Sequence, residues 1–171
     1  MKPLRKSLIR LFKRVNMTNP AIVQYWNDFV RTLPPSSPLR SKTFEAEGFG
    51  DSPELADELG QLVLSGIKTG TCSSLWEWEA EGSLLPQPGQ MTVVLDGQKR
   101  PMCIIETTQV WVCRFNNVDE EFAASEGEGD GSLAYWRAAR IRTFSRVLPK
   151  IEREFSEEMP VVCERFQVVY K

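Results

Sequence analysis

Histidine is absent from all 171 residues. That excludes every mechanism that turns on an imidazole: Ser-His-Asp triads, Cys-His pairs and H-E-x-x-H metal sites. Catalysis is left to Lys, Asp/Glu, Tyr, Cys or a metal held by carboxylates. The four cysteines (Cys72, Cys103, Cys113, Cys163) include no C-x-x-C pair, and without histidine no zinc ligand set is completed at the usual spacing. They read as reduced, structural thiols of a cytoplasmic protein. Long apolar runs are missing as well. Those in "QLVLSG" and "MTVVLD" are only a few residues, too short to span a membrane.

Acidic residues are missing from one end. Residues 1–16, "MKPLRKSLIRLFKRVN", carry six basic side chains and no acid, which leaves 15 basic against 23 acidic residues in the remainder. An acidic body argues against nonspecific binding of long nucleic acids, whose affinity comes mainly from phosphate neutralisation. It leaves room for a small basic pocket. Leu4, Leu8, Leu11, Phe12 and Val15 recur at roughly helical spacing, as in a membrane-surface or RNA-contacting arm. Because "MTNPAIVQYW" begins like a natural start, residues 1–16 are expected to be a flexible basic extension ahead of one domain over 17–171.

What is present is ordinary for a globular chain, with 42% hydrophobic and 26% charged residues, and the length suits a single domain with a real core. "TNPAIVQYWNDFVRTLP" predicts a capped helix: Thr18 or Asn19 at the N-cap, Pro20 in the first turn, and Ile22, Trp26, Phe29, Val30 and Leu33 on one stripe. "PPSSPLRSK" is read as a loop. "SPELADELGQLVLSG" predicts a second helix, with Ser52 as N-cap, Pro53 at N1, Leu55, Leu59, Leu62 and Val63 buried, and Gly66 at the C-terminal cap. The second half changes period. "MTVVLDG", "RPMCIIETTQVWVCRF" and "PVVCERFQVVYK" read as strands, and an acidic glycine-rich loop leads into a helix with Leu133, Trp136, Ile141, Phe144 and Val147. Helices before and between strands, without βαβ alternation, predict an α+β fold around a small mixed barrel.

Two stretches carry chemistry. "GIKTGTCSSLW" places Lys68, Thr69, Thr71, Ser73 and Ser74 within seven positions where a helix hands over to a strand. Such a stretch is either a reactive site or a polar turn whose hydroxyls satisfy loop amides. "EGEGDGS" offers Glu126, Glu128 and Asp130 as oxygen ligands for Mg²⁺, or is a solvated loop in which Asp130 or Ser132 caps the helix holding Trp136 and Arg137.

"LVLSGIKTGTCSS", "LPQPGQ", "ETTQVWVCRFNNVDEEFAASEGEGDGSLAYWR" and the closing "FQVVY" together resemble the ASC-1 homology (ASCH) domain. The likeness is to the longer bacterial stand-alone members, over roughly residues 40 to 170. The resemblance implies a PUA-like fold, a bent β-barrel flanked by helices, with a cleft for RNA or a nucleoside. Members of the family include amidohydrolases acting on acetylated cytidine, ribonucleases and RNA-binding modules, so membership limits function without settling it. The catalytic trio of the small amidohydrolase-type members maps onto Lys68, Thr71 and Glu126. Two departures stand out: Ser73 occupies a position where small members carry arginine, and Arg140 one where longer members carry histidine, with Thr143 at the first aromatic that follows.

Physically, Thr71 is a nucleophile only if a neighbour takes its proton, and Lys68 is the candidate base. In a regular strand, residues i and i+3 face opposite sides, so a bulge at Gly70 is expected to bring Lys68 and Thr71 together. Glu126 would hold the lysine or act as acid/base. Thr69, Ser73, Trp76, Ser132, Arg137 and Arg140 are the surrounding binding candidates. Trp76 is expected to stack on a base as it leaves the site on the same strand, while the other tryptophans belong to the core or its rim. The resulting expectation is hydrolysis of an amide on a nucleobase such as N4-acetylcytidine, with no cofactor. The alternatives are a noncatalytic RNA-binding module and an Mg²⁺-dependent ribonuclease.

Overall fold

The computed structural model describes Lys13–Arg14 and residues 19–171. Apart from Lys13 and Arg14, the expected flexible extension over 1–16 lies outside the described residues. Those two form a short strand, β1 (Lys13–Arg14), antiparallel to β2 (Phe44–Gly48), with Arg14 opposite Glu47.

Helix α1 (Pro20–Thr32) starts as its sequence predicts. The Asn19 side chain accepts the Ala21 amide, Pro20 stands in the first turn, and Ile22, Trp26 and Phe29 are buried. Helix α2 (Pro53–Leu64) is capped by Ser52 and ends before Gly66, whose φ of +79° suits a residue without Cβ. The remaining elements are β3 (Gly70–Ser74), α3 (Leu75–Glu81), β4 (Met91–Leu95), β5 (Pro101–Arg114), α4 (Glu120–Ser125), α5 (Leu133–Val147) and β6 (Pro160–Tyr170). Three of these differ from the sequence reading. Phe44–Gly48 is a strand, Trp76 and Trp78 ride on a helix, and the acidic stretch before Glu126 is helical, capped by Asp119.

The sheet runs β1-β2-β4-β5-β6-β3. Among the described residues only β2 and β4 pair in parallel; every other neighbour is antiparallel. The arrangement is the mixed α+β sheet that the pattern predicts. Register shifts in β5, at Ile104/Ile105 and Thr107/Gln109, interrupt its long ladder with β6, and such irregularities bend a sheet. Three apolar clusters hold the layers together. Helix α1 packs on β2 and β4 through Ile22, Trp26, Ala46 and Val93. Helix α2 packs through Leu59 and Val63 against Val94 and Ile105. Helices α4 and α5 close the other side through Phe122, Trp136 and Phe144 against Cys72 and Cys163. No helix among the described residues is long and apolar enough to cross a membrane.

Candidate functional site

The end of α2 sets the position of Lys68. Beyond Gly66 the chain folds back on the helix, and the amides of Ile67 and Lys68 both donate to the Leu62 carbonyl, at 2.9 and 3.0 Å. Thr69 is then clamped from two sides: its amide donates to the Ser125 carbonyl at 2.8 Å and its own carbonyl accepts the Phe166 amide at 2.9 Å. Lys68 therefore precedes β3 instead of belonging to it. No bulge forms at Gly70, because β3 pairs with β6 in unbroken register from Gly70 opposite Arg165 to Ser74 opposite Val161. Gly70 serves close approach: a Cβ there would lie 2.5 Å from Ser125 Oγ and 3.2 Å from the Phe122 ring.

That approach brings α4 against the turn and places Glu126, the C-cap residue of α4, beside Lys68. The next residue, Gly127, has φ +67°, and a Cβ on it would lie 2.8 Å from the Ile67 carbonyl oxygen. A side chain would push the acidic loop off the lysine turn. From the third direction comes α5, capped by Ser132, whose hydroxyl accepts the Tyr135 amide. Trp136 and Arg140 lie one turn apart on α5, on one face, and both reach Glu126.

The outcome is a buried quartet. Lys68 Nζ donates to Glu126 Oε2 and Glu128 Oε1, each at 2.9 Å, and to the Glu126 carbonyl at 3.3 Å. An ammonium has three donors, and all three are used. Arg140 Nη2 donates to Glu126 Oε2 and, at 3.3 Å, to Glu128 Oε1. Trp136 Nε1 donates to Glu126 Oε1 at 2.7 Å. Lys68 and Glu126 are 1% and 0% exposed, Arg140 11% and Glu128 24%. Buried charges are tolerated when paired and hydrogen-bonded, and here two cations face two carboxylates. Burial acts to raise the Glu128 carboxyl, but Lys68 and Arg140 override it and hold it below its ordinary range. Burial likewise opposes the charge of Arg140, and Glu126 and Glu128 more than offset it, so its guanidinium is firmly protonated.

Lys68, Glu128 and Arg140 of the quartet form one wall of a cleft with two lobes. One lobe is bordered by Lys68, Glu128, Arg140, Thr143 and Arg146. The other lies over the sheet and is bordered by Glu45, Glu47, Trp78, Gln90 and Thr107. Thr71 and Phe49 border both. Thr71 thus lies at the junction of the lobes and Lys68 borders one of them, while Glu126 borders neither and is hydrogen-bonded to Lys68.

The surrounding candidates are dispersed. Arg140 joins the quartet. Thr69 Oγ1 lies 3.4 Å from the Ser125 carbonyl, and Ser73 Oγ accepts Trp78 Nε1 at 2.9 Å. Ser132 is engaged as a helix cap, with its own amide donating to Asp130 Oδ1. Arg137 reaches the Asn116 carbonyl at 3.4 Å. Trp76 does not leave the site on a strand: it packs against the α4–α5 cluster with the Arg153 guanidinium 5.1 Å from its ring. The tryptophan at the cleft is Trp78, two residues on. Nothing in the local pattern separates the two, since both fall within one short helix whose orientation is set by packing. The i, i+4 spacing of Trp136 and Arg140 was the available signal for their shared target.

The residues present do not fit an Mg²⁺ centre. Both oxygens of Glu126 and one of Glu128 already accept from Lys68, Arg140 or Trp136. Asp130 is turned into its own loop. Among the described residues no group of three or more His, Cys, Asp or Glu side chains is placed to hold a metal ion.

A family model described as the ASCH domain matches residues 45–170. The crystal structure of an ASCH domain from Lactobacillus crispatus JV V101 matches with a TM-score of 0.83 and 37% identity, covering 87% of this chain and 94% of that one. A protein from Enterococcus faecalis V583 matches with a TM-score of 0.77 and 37% identity, covering 88% of each chain. No curated protein matches. The bent mixed sheet with its flanking helices is the PUA-like architecture of these structures.

Proposed function

This chain belongs to the ASCH domain family, which is generally associated with RNA binding, and we propose that its cleft takes a modified nucleoside or RNA nucleotide and hydrolyses an amide on the base. The observation that carries this reading is the buried Lys68–Glu126 pair in the wall of a cleft bordered by Thr71. Phe49 and Trp78 contribute aromatic rings to the border of this cleft. The four free cysteines support a reducing, cytoplasmic setting.

The chemistry follows from the proton inventory. As Thr71 Oγ1 bonds to the acyl carbon of the substrate, Lys68 Nζ takes the hydroxyl proton and passes one of its own to the hydrogen-bonded Glu126 carboxylate, so the lysine keeps its charge. The C–N bond then breaks, the base amine leaves with the proton returned through Lys68, and Glu126 gives its proton back to the lysine. Water cleaves the threonyl ester, releasing the carboxylic acid and restoring Thr71. Trp136 and Arg140 keep the Glu126 side chain in place throughout.

A second reading rests on a specific observation. All three Lys68 donors are engaged in the quartet, which suits a rigid wall for binding without turnover. Incubation with N4-acetylcytidine separates the two. Release of cytidine and acetate, reduced about two orders of magnitude or more in folded Thr71→Ala and Glu126→Gln, is the expected result. Absence of turnover, with RNA binding weakened in Lys68→Ala and Glu126→Gln, establishes the binding module instead.

A further inference from the structure

The two carboxylates of the quartet are held very differently. Glu126 is wholly buried, and each of its oxygens accepts from the protein interior. Glu128 approaches from the open side. Only its Oε1 is engaged, at 2.9 Å from Lys68 Nζ and 3.3 Å from Arg140 Nη2, and its side chain borders the cleft lobe. A carboxylate bridging two buried cations at the edge of an open lobe occupies the position of a ligand.

We propose that Lys68 and Arg140 form an anion subsite whose resting occupant is the protein's own Glu128, and that a phosphate group of the substrate displaces this carboxylate. The identity of the ligand rests on the nucleotide reading above; the subsite itself rests on the quartet. Charge supports the exchange. With Glu126 fixed, rotation of Glu128 into solvent leaves two cations facing one carboxylate, a net positive charge in a sheltered wall. Arg146, the other cation of this lobe, is committed to Asp51. The guanidinium of Arg140 suits phosphate through its forked donors, and Lys68 adds a point charge. Glu128 can leave by side-chain rotation alone, because its tip already meets solvent. Its glycine neighbours pass close to other elements: a Cβ on Gly127 would lie 2.8 Å from Ile67, and one on Gly129 2.3 Å from the Tyr135 ring. The loop thus carries one carboxylate at the edge of the lobe, and this acidic residue limits anion binding to ligands that outcompete it.

Isothermal titration of wild type, Glu128→Ala and Glu128→Gln with inorganic phosphate, cytidine, cytidine 5′-monophosphate and a short single-stranded RNA tests this. Loss of one charge-assisted competitor is worth about tenfold in affinity. Both variants should therefore bind at least one phosphate-bearing probe about tenfold tighter than wild type, with cytidine unchanged. Adding Arg140→Ala should erase the gain. A gain with phosphate or the monophosphate identifies a terminal phosphate as the displacing group, and a gain confined to RNA identifies a backbone diester. Unchanged affinity for every phosphate probe overturns the proposal, as does an equal gain for cytidine, which would mark lost bulk and not lost charge. Because the readout is equilibrium binding, absence of amide turnover leaves the subsite standing, and turnover without a phosphate gain removes the subsite alone.

Discussion

Strand β3 has two faces, and both bury polar side chains. Thr71 faces the cleft beside Lys68, while Cys72 faces the α4–α5 core, directly opposite Cys163 on β6. Cys113 of β5 adds a third thiol, its Sγ 4.0 Å from that of Cys163. On the core side the hydrogen bond with Cys72, reinforced by burial, pushes the Cys163 thiol far above its ordinary range. Burial also raises the Cys113 thiol. These groups are silenced as neutral, nearly apolar residues. On the cleft side Glu128 and Arg140 face opposite charges, which against burial hold the carboxyl low and the guanidinium protonated. Burial neutralises a group that lacks an opposite charge and preserves one that has it. Depth in the protein therefore says little about reactivity, and the built-in partner says a great deal.

Removing a charge should break the comparison most severely. Glu126→Ala leaves Lys68, Arg140 and the Trp136 indole facing an empty position. The expected loss is about 3–5 kcal/mol in urea unfolding, the scale for orphaning a buried charge. On the opposite face, Cys72→Ala deletes one sulfur from a neutral cluster and should cost only about 1–2 kcal/mol. Cytidine binding should be unaltered. Equal losses for the two variants would show that packing, not pairing, supports the cleft wall.

The smallest effect sharpens the role of Glu128. Its folded-state carboxyl sits below the ordinary value of 4.5, so its contribution to stability is complete above that value and is lost as pH falls through the folded value. The groups facing it are Lys68 on the turn after α2, Arg140 on α5 and Glu126 on its own loop, with Asp51 and Arg146 bordering the same lobe. Thermal melts from about pH 6 to about pH 3 should fall less steeply for Glu128→Gln than for wild type. An unchanged slope would remove Glu128 from the ionised quartet.

The legible parts of this protein are those governed by near neighbours in the chain. Asn19–Pro20 and Ser52–Pro53 announce their helices because a cap and its first turn are adjacent in sequence. The long strands announce themselves through β-branched residues. Phe44–Gly48 carries no such signal, because "FEAEG" is weakly patterned and becomes a strand by pairing with Met91–Val94. Trp76 departs from the expected strand for a related reason: the strand ends at Ser74, and the chain turns into α3, where Trp78 Nε1 donates to Ser73 Oγ. Neither event has a local signature strong enough to read.

The candidate site divides along the same line. The sequence by itself excluded imidazole chemistry, put Lys68 and Thr71 at a helix-to-strand transition, and paired that motif with a glycine-rich acidic stretch through a family likeness. Only the tertiary structure decided that Lys68 sits before the strand, that Glu126 and Glu128 share it with Arg140, and that Thr71 lies where two lobes meet. Those facts depend on the register of β3 against β6 and on the close passage of Gly70 and Gly127 past α4 and the lysine turn. Contacts 58 or 60 positions apart are set by how whole elements pack, and no run of neighbouring residues encodes them.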